Sequence, residues 1–356
     1  MSDSSDKRKR EGLGLPPRPV WIALLVFVAL IAGWTAIWYE GTRRAEAELS
    51  AWMVSQAAQG RRIDCAEQGI GGYPFRVVIE CASPSAEFVE NGRQVSLSAG
   101  HVQAVAMVWQ PHHLIIGVEG PLRVESGAGE GAAAAGFDVE WSNLRSSLRA
   151  PGGRITRFDT VIQDFRFAPD PGLLAPGAPA EVTADRLDLH QRDEPDGLGT
   201  ELAVNAAGLA VSHTDLPTAE AVDVALLARL DGLPSPMPRE LPAFVAAWRD
   251  NSGAVEILDL RIAQGDSMLA ADGRVAPDAH GRPEGRLTVS LAGPDVRTPG
   301  AAGAFAGVGP VLAAALRFGG RPAEIDGREA VSGDIEMRDG RARFGPVPIA
   351  RLPALF

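Results

Sequence analysis

Cys65 and Cys81 are the only two cysteines of the 356-residue chain, and they are the pair whose type and spacing most directly suggest chemistry. They lie in RIDCAEQGIGGYPFRVVIEC, where Gly69, Gly71 and Gly72 punctuate two strand-like arms. Paired as a hairpin that turns near residues 70–74, the arms place the two thiols roughly opposite one another, a geometry that permits a disulfide without requiring it. Export to an oxidising compartment would favour the bond over the alternative, a pair of buried free thiols. Zinc is disfavoured, because two thiols with no nearby histidine leave a tetrahedral site half built. Between the cysteines, Tyr73, Phe75 and Arg76 surround Pro74. A loop that carries aromatics and an arginine suits contact with a partner or ligand. The plainer role of the segment is to fix the entry to the second arm.

The remaining candidates assemble no catalytic constellation. His112 and His113 are adjacent, so on a strand they point to opposite faces and have no third ligand at a sensible spacing. His101, His190, His213 and His280 stand isolated in sequence. There is no G-x-S-x-G turn for a nucleophilic serine and no glycine loop in a phosphate-cradling context. GAGEG at 127–131 is followed by more alanine and glycine and reads as a loop. Asp193-Glu194 sits beside Pro195 and Gly197, which is turn chemistry and not a placed acid and base. The expectation is a protein without enzymatic activity, cofactor or metal.

The elements that carry these residues begin with Val20–Tyr39, VWIALLVFVALIAGWTAIWY, twenty residues without a charge. As a helix this stretch spans about 30 Å, the thickness of a bilayer's hydrocarbon core. Trp21 marks one end, and Trp34, Trp38 and Tyr39 the other, as interfacial aromatics do. Lys7, Arg8, Lys9, Arg10 and Arg18 precede it, which by the positive-inside rule keeps residues 1–19 in the cytoplasm. The rival is a cleaved signal peptide, but the run is long and its exit, Ile37-Trp38-Tyr39, is bulky where a cleavage site takes small residues. Residues 40–60 continue with helical character: Leu49, Trp52 and Met53 share a face, and Gly60 supplies a stop. That helix either extends the span as a stalk or packs on the sheet after it, packing being the plainer option.

From residue 61 the apolar period becomes two. Val95, Leu97 and Ala99 alternate with serines, as Leu187 and Leu189 do with Arg186 and Asp188, and Leu287, Val289 and Leu291 with Thr288 and Ser290. Such strands have one wet and one dry face, as in antiparallel sheets. Asn91-Gly92, Asp272-Gly273, His280-Gly281 and Asp339-Gly340 give turn signals, and the 40 glycines and 27 prolines are spread as many short connections require. Only two more helices are expected, at Glu240–Arg249 and at Ala301–Phe318, the latter broken by Pro310. Residues 169–180 offer a possible internal boundary within 61–356. Pro346, Pro348 and Pro353 argue against a ladder strand at the end of the chain, and hence against a barrel. A dozen or more half-apolar strands present more dry surface than three short helices can cover. That surface must close on itself, meet a second sheet, or be covered by a lipid or a protein.

GGYPFRVVIEC (71–81), WQPHHLIIGVEGPLRV (109–124), FVAAWRDNSGAVEI (244–257), residues 269–293 and EMRDGRARFGPVPIARLP (336–353) resemble the domain of unknown function 2125 family. The resemblance covers nearly the whole chain and implies an exported, membrane-anchored alphaproteobacterial protein, with no known activity or catalytic residues to carry over. The plan of an N-terminal membrane helix followed by strand-rich sequence is also similar to that of AsmA-like envelope proteins. That likeness implies a curled sheet with an apolar groove for lipid.

The net charge of −11 disfavours nucleic acid as a partner, since beyond residue 44 the basic residues are scattered among acids. Together these readings predict a mainly β protein with a few helices (α+β), an N-terminal transmembrane helix followed by a large antiparallel, curled or sandwich-like domain. It is expected in the bacterial inner membrane as a single-pass protein, its bulk periplasmic, binding lipid or an envelope partner through an apolar sheet groove. The alternative is a scaffold subunit of an envelope assembly; an exported hydrolase ranks last.

Overall fold

The computed structural model describes residues 18–90, 92–127, 135–170, 179–194, 197, 199–213, 220–235, 237–238, 240–293 and 310–354. The basic tail of residues 1–17, residues 128–131 of the GAGEG loop, Asn91, Pro195 and the first part of the expected 301–318 helix lie outside them.

The apolar N-terminal run and the helical segment after it form one continuous helix, α1 (Arg18–Ala58). It therefore extends the span as a stalk, and it also packs. Trp34, Trp38, Thr42, Ala45, Leu49 and Met53, three or four residues apart, are among its less exposed positions, and it rests on the first strands of the sheet. Trp52, expected on that stripe, is 49% exposed. The helix stops at Gly60: Arg61 N–H donates to Gln56 O and Gly60 N–H to Ala57 O, a paired closure of the last turn.

The alternating sequence beyond Gly60 folds as a meander. Its first five arms are each broken once, into β1 (Arg62–Asp64) and β2 (Glu67–Gly71), β3 (Arg76–Ala82) and β4 (Ser85–Glu90), β5 (Arg93–Ser98) and β6 (His101–Met107), β7 (Gln110–Glu119) and β8 (Leu122–Ser126), β9 (Ala135–Glu140) and β10 (Asn143–Arg149). On one side of the break the order is β2-β3-β6-β7-β10; on the other it is β1-β4-β5-β8-β9. The two series merge on β11 (Arg157–Pro169), which pairs with β10 along its first half and with β9 along its second. Ser83, with φ 46°, and Asp164, with φ 52°, mark this crease, and Ser83 N–H donates across it to Gly100 O.

The sheet then runs on through β12 (Pro179–Asp193), β13 (Gly199–His213), β14 (Val222–Asp231), β15 (Ala254–Gln264), β16 (Ser267–Pro277) and β17 (Pro283–Ala292). It continues to β19 (Arg328–Arg338), which also pairs with β18 (Arg321–Ile325) and β20 (Arg341–Phe344). All these pairings are antiparallel, and the sheet does not close on itself. β11 and β12 pair from Arg157↔Arg192 to Phe167↔Val182, so the ladder is continuous beside residues 169–180.

Two sequence expectations are corrected. Asp272-Gly273 is not a turn but lies inside β16; a Cβ on Gly273 would stand 2.2 Å from Arg286 O, so glycine is there for a close strand approach. Pro348 does sit in a strand, β21 (Val347–Arg351); that strand pairs only with β20, and an edge position spares the missing N–H. His280-Gly281 and Asp339-Gly340 do connect paired strands. So does Asp326-Gly327, between β18 and β19.

Helix α2 (Leu241–Asp250) buries Val245 and Trp248, and Trp248 Nε1 donates to Asp231 O. Helix α3 begins at Pro310 (Pro310–Gly319), the position where a missing N–H costs least. It sets Leu316 into a cluster with Leu269, Val289, Leu291, Ile335 and Phe344. This is the densest core, and it lies at the C-terminal end of the sheet. Among described residues before Val222, the only buried hydrophobic side chains are Val78, Ala184 and Ala206.

Candidate functional site

Cross-strand neighbours in an antiparallel sheet share a face, so the register alone sorts the side chains. Starting at Cys81, the successive partners are Val102, Val118, Leu144, Ile162 and Leu187. The row continues through Ala206, Val224, Ile262, Leu269, Leu291 and Val331. It crosses twelve strands without a polar residue, a length of about 53 Å at ~4.8 Å per strand. The neighbouring row on the same face holds Ile79, Ala104, Ile116, Leu189, Val204, Leu226, Leu260 and Val289; its only polar members, Ser146 and Thr160, hydrogen-bond each other at 2.8 Å.

One residue along each strand, the opposite face reads differently. Arg145, Asp188, Asn205, Arg261, Ser290 and Ser332 occupy equivalent positions, interspersed with Val161, Ala225 and Ala270, and arginine–carboxylate pairs such as Arg186–Asp188 and Arg261–Asp326, both at 2.8 Å, lace it. Burial tends to raise the pKa of Asp159, but hydrogen bonds from Arg157 and His190 outweigh it and hold the carboxyl below its usual value. Exposed pairs of this kind contribute little stability each, so their main consequence is a solvated face.

Of the twelve side chains in the apolar row, only Ala206, Leu269 and Leu291 are buried; the other nine are half-buried, Ile262 and Val331 by packing beside the core cluster. The helices explain the difference. α2 makes its main contacts on β16, α3 on β19 and β21, and α1 on β1, β2 and β3. The strands between Asn143 and His213 carry none of those main contacts. Where α1 meets the sheet, a groove of about 750 Å³ opens between Ala36, Ile37, Gly41 and Ala45 of the helix and Val77, Ile79, Ala104, Ala106 and Leu114 of the sheet. Those strand residues begin the apolar rows, so the groove and the dry face are continuous. Glu40, Arg44 and Glu48 line its helical rim.

The Cys65 and Cys81 sulfurs are bonded, with a Cα–Cα distance of 5.5 Å. They are not a directly opposed pair: Gln68 faces Cys81, and Cys65 falls in the break between β1 and β2, where the chain leaves one ladder for the other. The bond therefore closes the first arm's crease.

Tyr73, Phe75 and Arg76 occupy the tip of the β2–β3 hairpin, and that tip is held against α1. Trp34 Nε1 donates to Pro74 O at 2.7 Å, Trp38 Nε1 to Arg76 O at 2.8 Å, and Tyr73 Oη lies 2.9 Å from Thr35 Oγ1. Trp38 meets Tyr73 edge-on, and Phe75 lies between Trp34 and Trp109. Gly72 makes the turn with φ 99°, where a Cβ would stand 2.7 Å from Arg76 O. Sequence reasoning singled out the tip but missed its partners Trp34, Trp38 and Trp109. The i, i+4 spacing of Trp34 and Trp38 was the available signal, and the membrane interface alone accounted for it.

The histidines stay apart. His113 Nε2 meets Ser147 Oγ at 2.9 Å, His190 Nδ1 meets Asp159 at 2.9 Å, and His112 is exposed. Asp193 pairs with Arg154 and Glu194 with Arg229. Among the described residues no group of three or more histidine, cysteine or acidic side chains could hold a metal ion.

These features define a class of chain: one apolar N-terminal helix joined to an open antiparallel sheet with one wet and one dry face. Within that class the chain belongs to the family described as "Uncharacterized protein conserved in bacteria (DUF2125)", whose family model matches residues 38–353. No curated protein and no solved structure matches the chain, so nothing shows the resemblance to AsmA-like proteins.

Proposed function

We propose that this is a non-enzymatic lipid-binding protein of the bacterial envelope, anchored in the inner membrane by residues 20–39 with its N-terminus cytoplasmic and its sheet periplasmic. The observation that carries the reading is the unbroken apolar row across twelve strands, nine of whose members are only half-buried. Apolar surface left in water costs about 25 cal/mol per Å², and acyl chains are the ligand whose shape matches a long, flat, featureless apolar track. The groove beside α1 supports an entry point, because it joins that track to the helix.

The anchor is supported by two facts. The helix is long and apolar enough to cross a membrane, with a mean hydropathy of 2.5 and no burial in its most apolar window. Trp34 and Trp38 are hydrogen-bonded into the β domain, so a cleavage after Tyr39 would remove partners that the hairpin tip uses.

The test is native mass spectrometry of the full chain after detergent exchange. The protein is expected to retain phospholipid, and a Leu189→Glu/Val204→Glu variant, altered at two facing positions in the middle of the dry face, to retain several-fold less. Equal retention by the two proteins contradicts lipid binding on the sheet.

A further inference from the structure

The tip of the β2–β3 hairpin is exposed and apolar although it is tied to the protein. Tyr73 is 51% exposed, Phe75 58%, and Trp109, in the adjoining β6–β7 turn, 57%. The two turns are joined, since Val108 N–H donates to Phe75 O. Their height along α1 is fixed by the hydrogen bond from Trp34 to Pro74 O. Trp34 lies six residues before Glu40, the first charge after the apolar run, which is about 9 Å at 1.5 Å per residue. A typical tilt of ~20° shortens that by less than ~1 Å.

We infer that this double tip is a membrane-dipping element: Tyr73, Phe75 and Trp109 sit among lipid acyl chains just below the headgroups, on the side of the membrane where the sheet lies, with exposed Arg76 at headgroup level. The inference rests on the reading of residues 20–39 as a membrane span, and extends it from the helix to the β domain. Backbone chemistry supports it. A polar group with no partner is expensive in hydrocarbon, and the carbonyls of Gly72, Pro74, Phe75 and Arg76 each accept a hydrogen bond from within the protein. Tyr73 Oη is likewise paired, with Thr35. Aromatic side chains are the ones favoured at this depth, and an arginine beside them reaches phosphate oxygens while its stem stays in apolar surroundings. A tip in contact with lipid also places the mouth of the α1 groove, lined by Met107 and Val108, at the membrane surface.

The test uses the full chain in vesicles of phosphatidylcholine and phosphatidylglycerol, spin-labelled singly through Phe75→Cys, Trp109→Cys, Val26→Cys within the span, or Val89→Cys on the far half of the second arm. Collisional relaxation by oxygen and by a water-soluble nickel chelate reads the depth of each label. The expected result is that Phe75 and Trp109 resemble Val26 in low nickel accessibility, several-fold below Val89. If Val26 is protected while Phe75 and Trp109 are as accessible to nickel as Val89, the span stands and the dipping tip is refuted. If Val26 itself is accessible, the span reading fails and the tip inference falls with it.

Discussion

Asp278 shows how much a single side chain can organise. It sits in the β16–β17 turn and accepts from the backbone N–H groups of His280 and Arg282 and from the Arg282 guanidinium. Burial alone raises its pKa, but these bonds outweigh burial and bring the carboxyl to about 2, from an ordinary value of 3.8. A carboxyl whose folded pKa is lowered contributes stability that is complete above its unfolded pKa and lost as pH falls towards the folded value. The turn is therefore predicted to weaken between about pH 4 and pH 2. Asp278→Asn is expected to cost about 1–2 kcal/mol at pH 6 and to remove that part of the acid dependence, as denaturant titrations at pH 6 and pH 2.5 can show. A variant with unchanged stability at pH 6 contradicts this role. At this scale the sequence was partly legible. Two cysteines flanking a glycine-punctuated hairpin allowed a disulfide, which forms although Gln68 and not Cys65 faces Cys81, whereas Asp272-Gly273 carries the letters of a turn and serves a close approach between strands. Local composition does not distinguish those uses of glycine.

Helices and hairpins were read with more success, because their signals are periodic. The change of apolar period at residue 61 and the amphipathic Leu241–Trp248 face correspond to observed elements. What the period cannot report is which arm kinks and where. The crease through β1–β10 depends on irregular single residues such as Ser83, and on the disulfide that ties Cys81 to the break in the first arm. Closing a 16-residue separation stabilises the folded chain by about 3 kcal/mol in the chain-entropy model. Cys65→Ser/Cys81→Ser is expected to lower stability by about that amount, and reduction of the native protein to have the same effect. A melting temperature unmoved by either change contradicts a stabilising role. The double helix reading, stalk or packed, resolves into both, because α1 is long enough to leave the apolar run and still lay one stripe on the sheet.

Across the whole molecule, the decisive feature is an imbalance of surfaces. Three helices lie at the ends of a long sheet, and the densest core among the described residues sits under α3, so the middle strands keep a dry face on which no helix makes its main contacts. The excess of dry surface was legible in the sequence from alternation alone. Its continuity was not, since a single row across twelve strands exists only once every register is fixed, and a slip of one residue in β12, β13 or β15 could have put Asp188, Asn205 or Arg261 into it. Scaffold and lipid-binding readings both begin from this surface and differ in what covers it. The most direct measurement is photo-crosslinking in intact membranes from two adjacent positions of β12, Leu189 on the dry face and His190 on the wet one. Lipid-binding predicts phospholipid adducts from position 189 and few or none from 190. Equal labelling at the two positions, or capture of a single protein of defined mass from 189 without lipid, contradicts it.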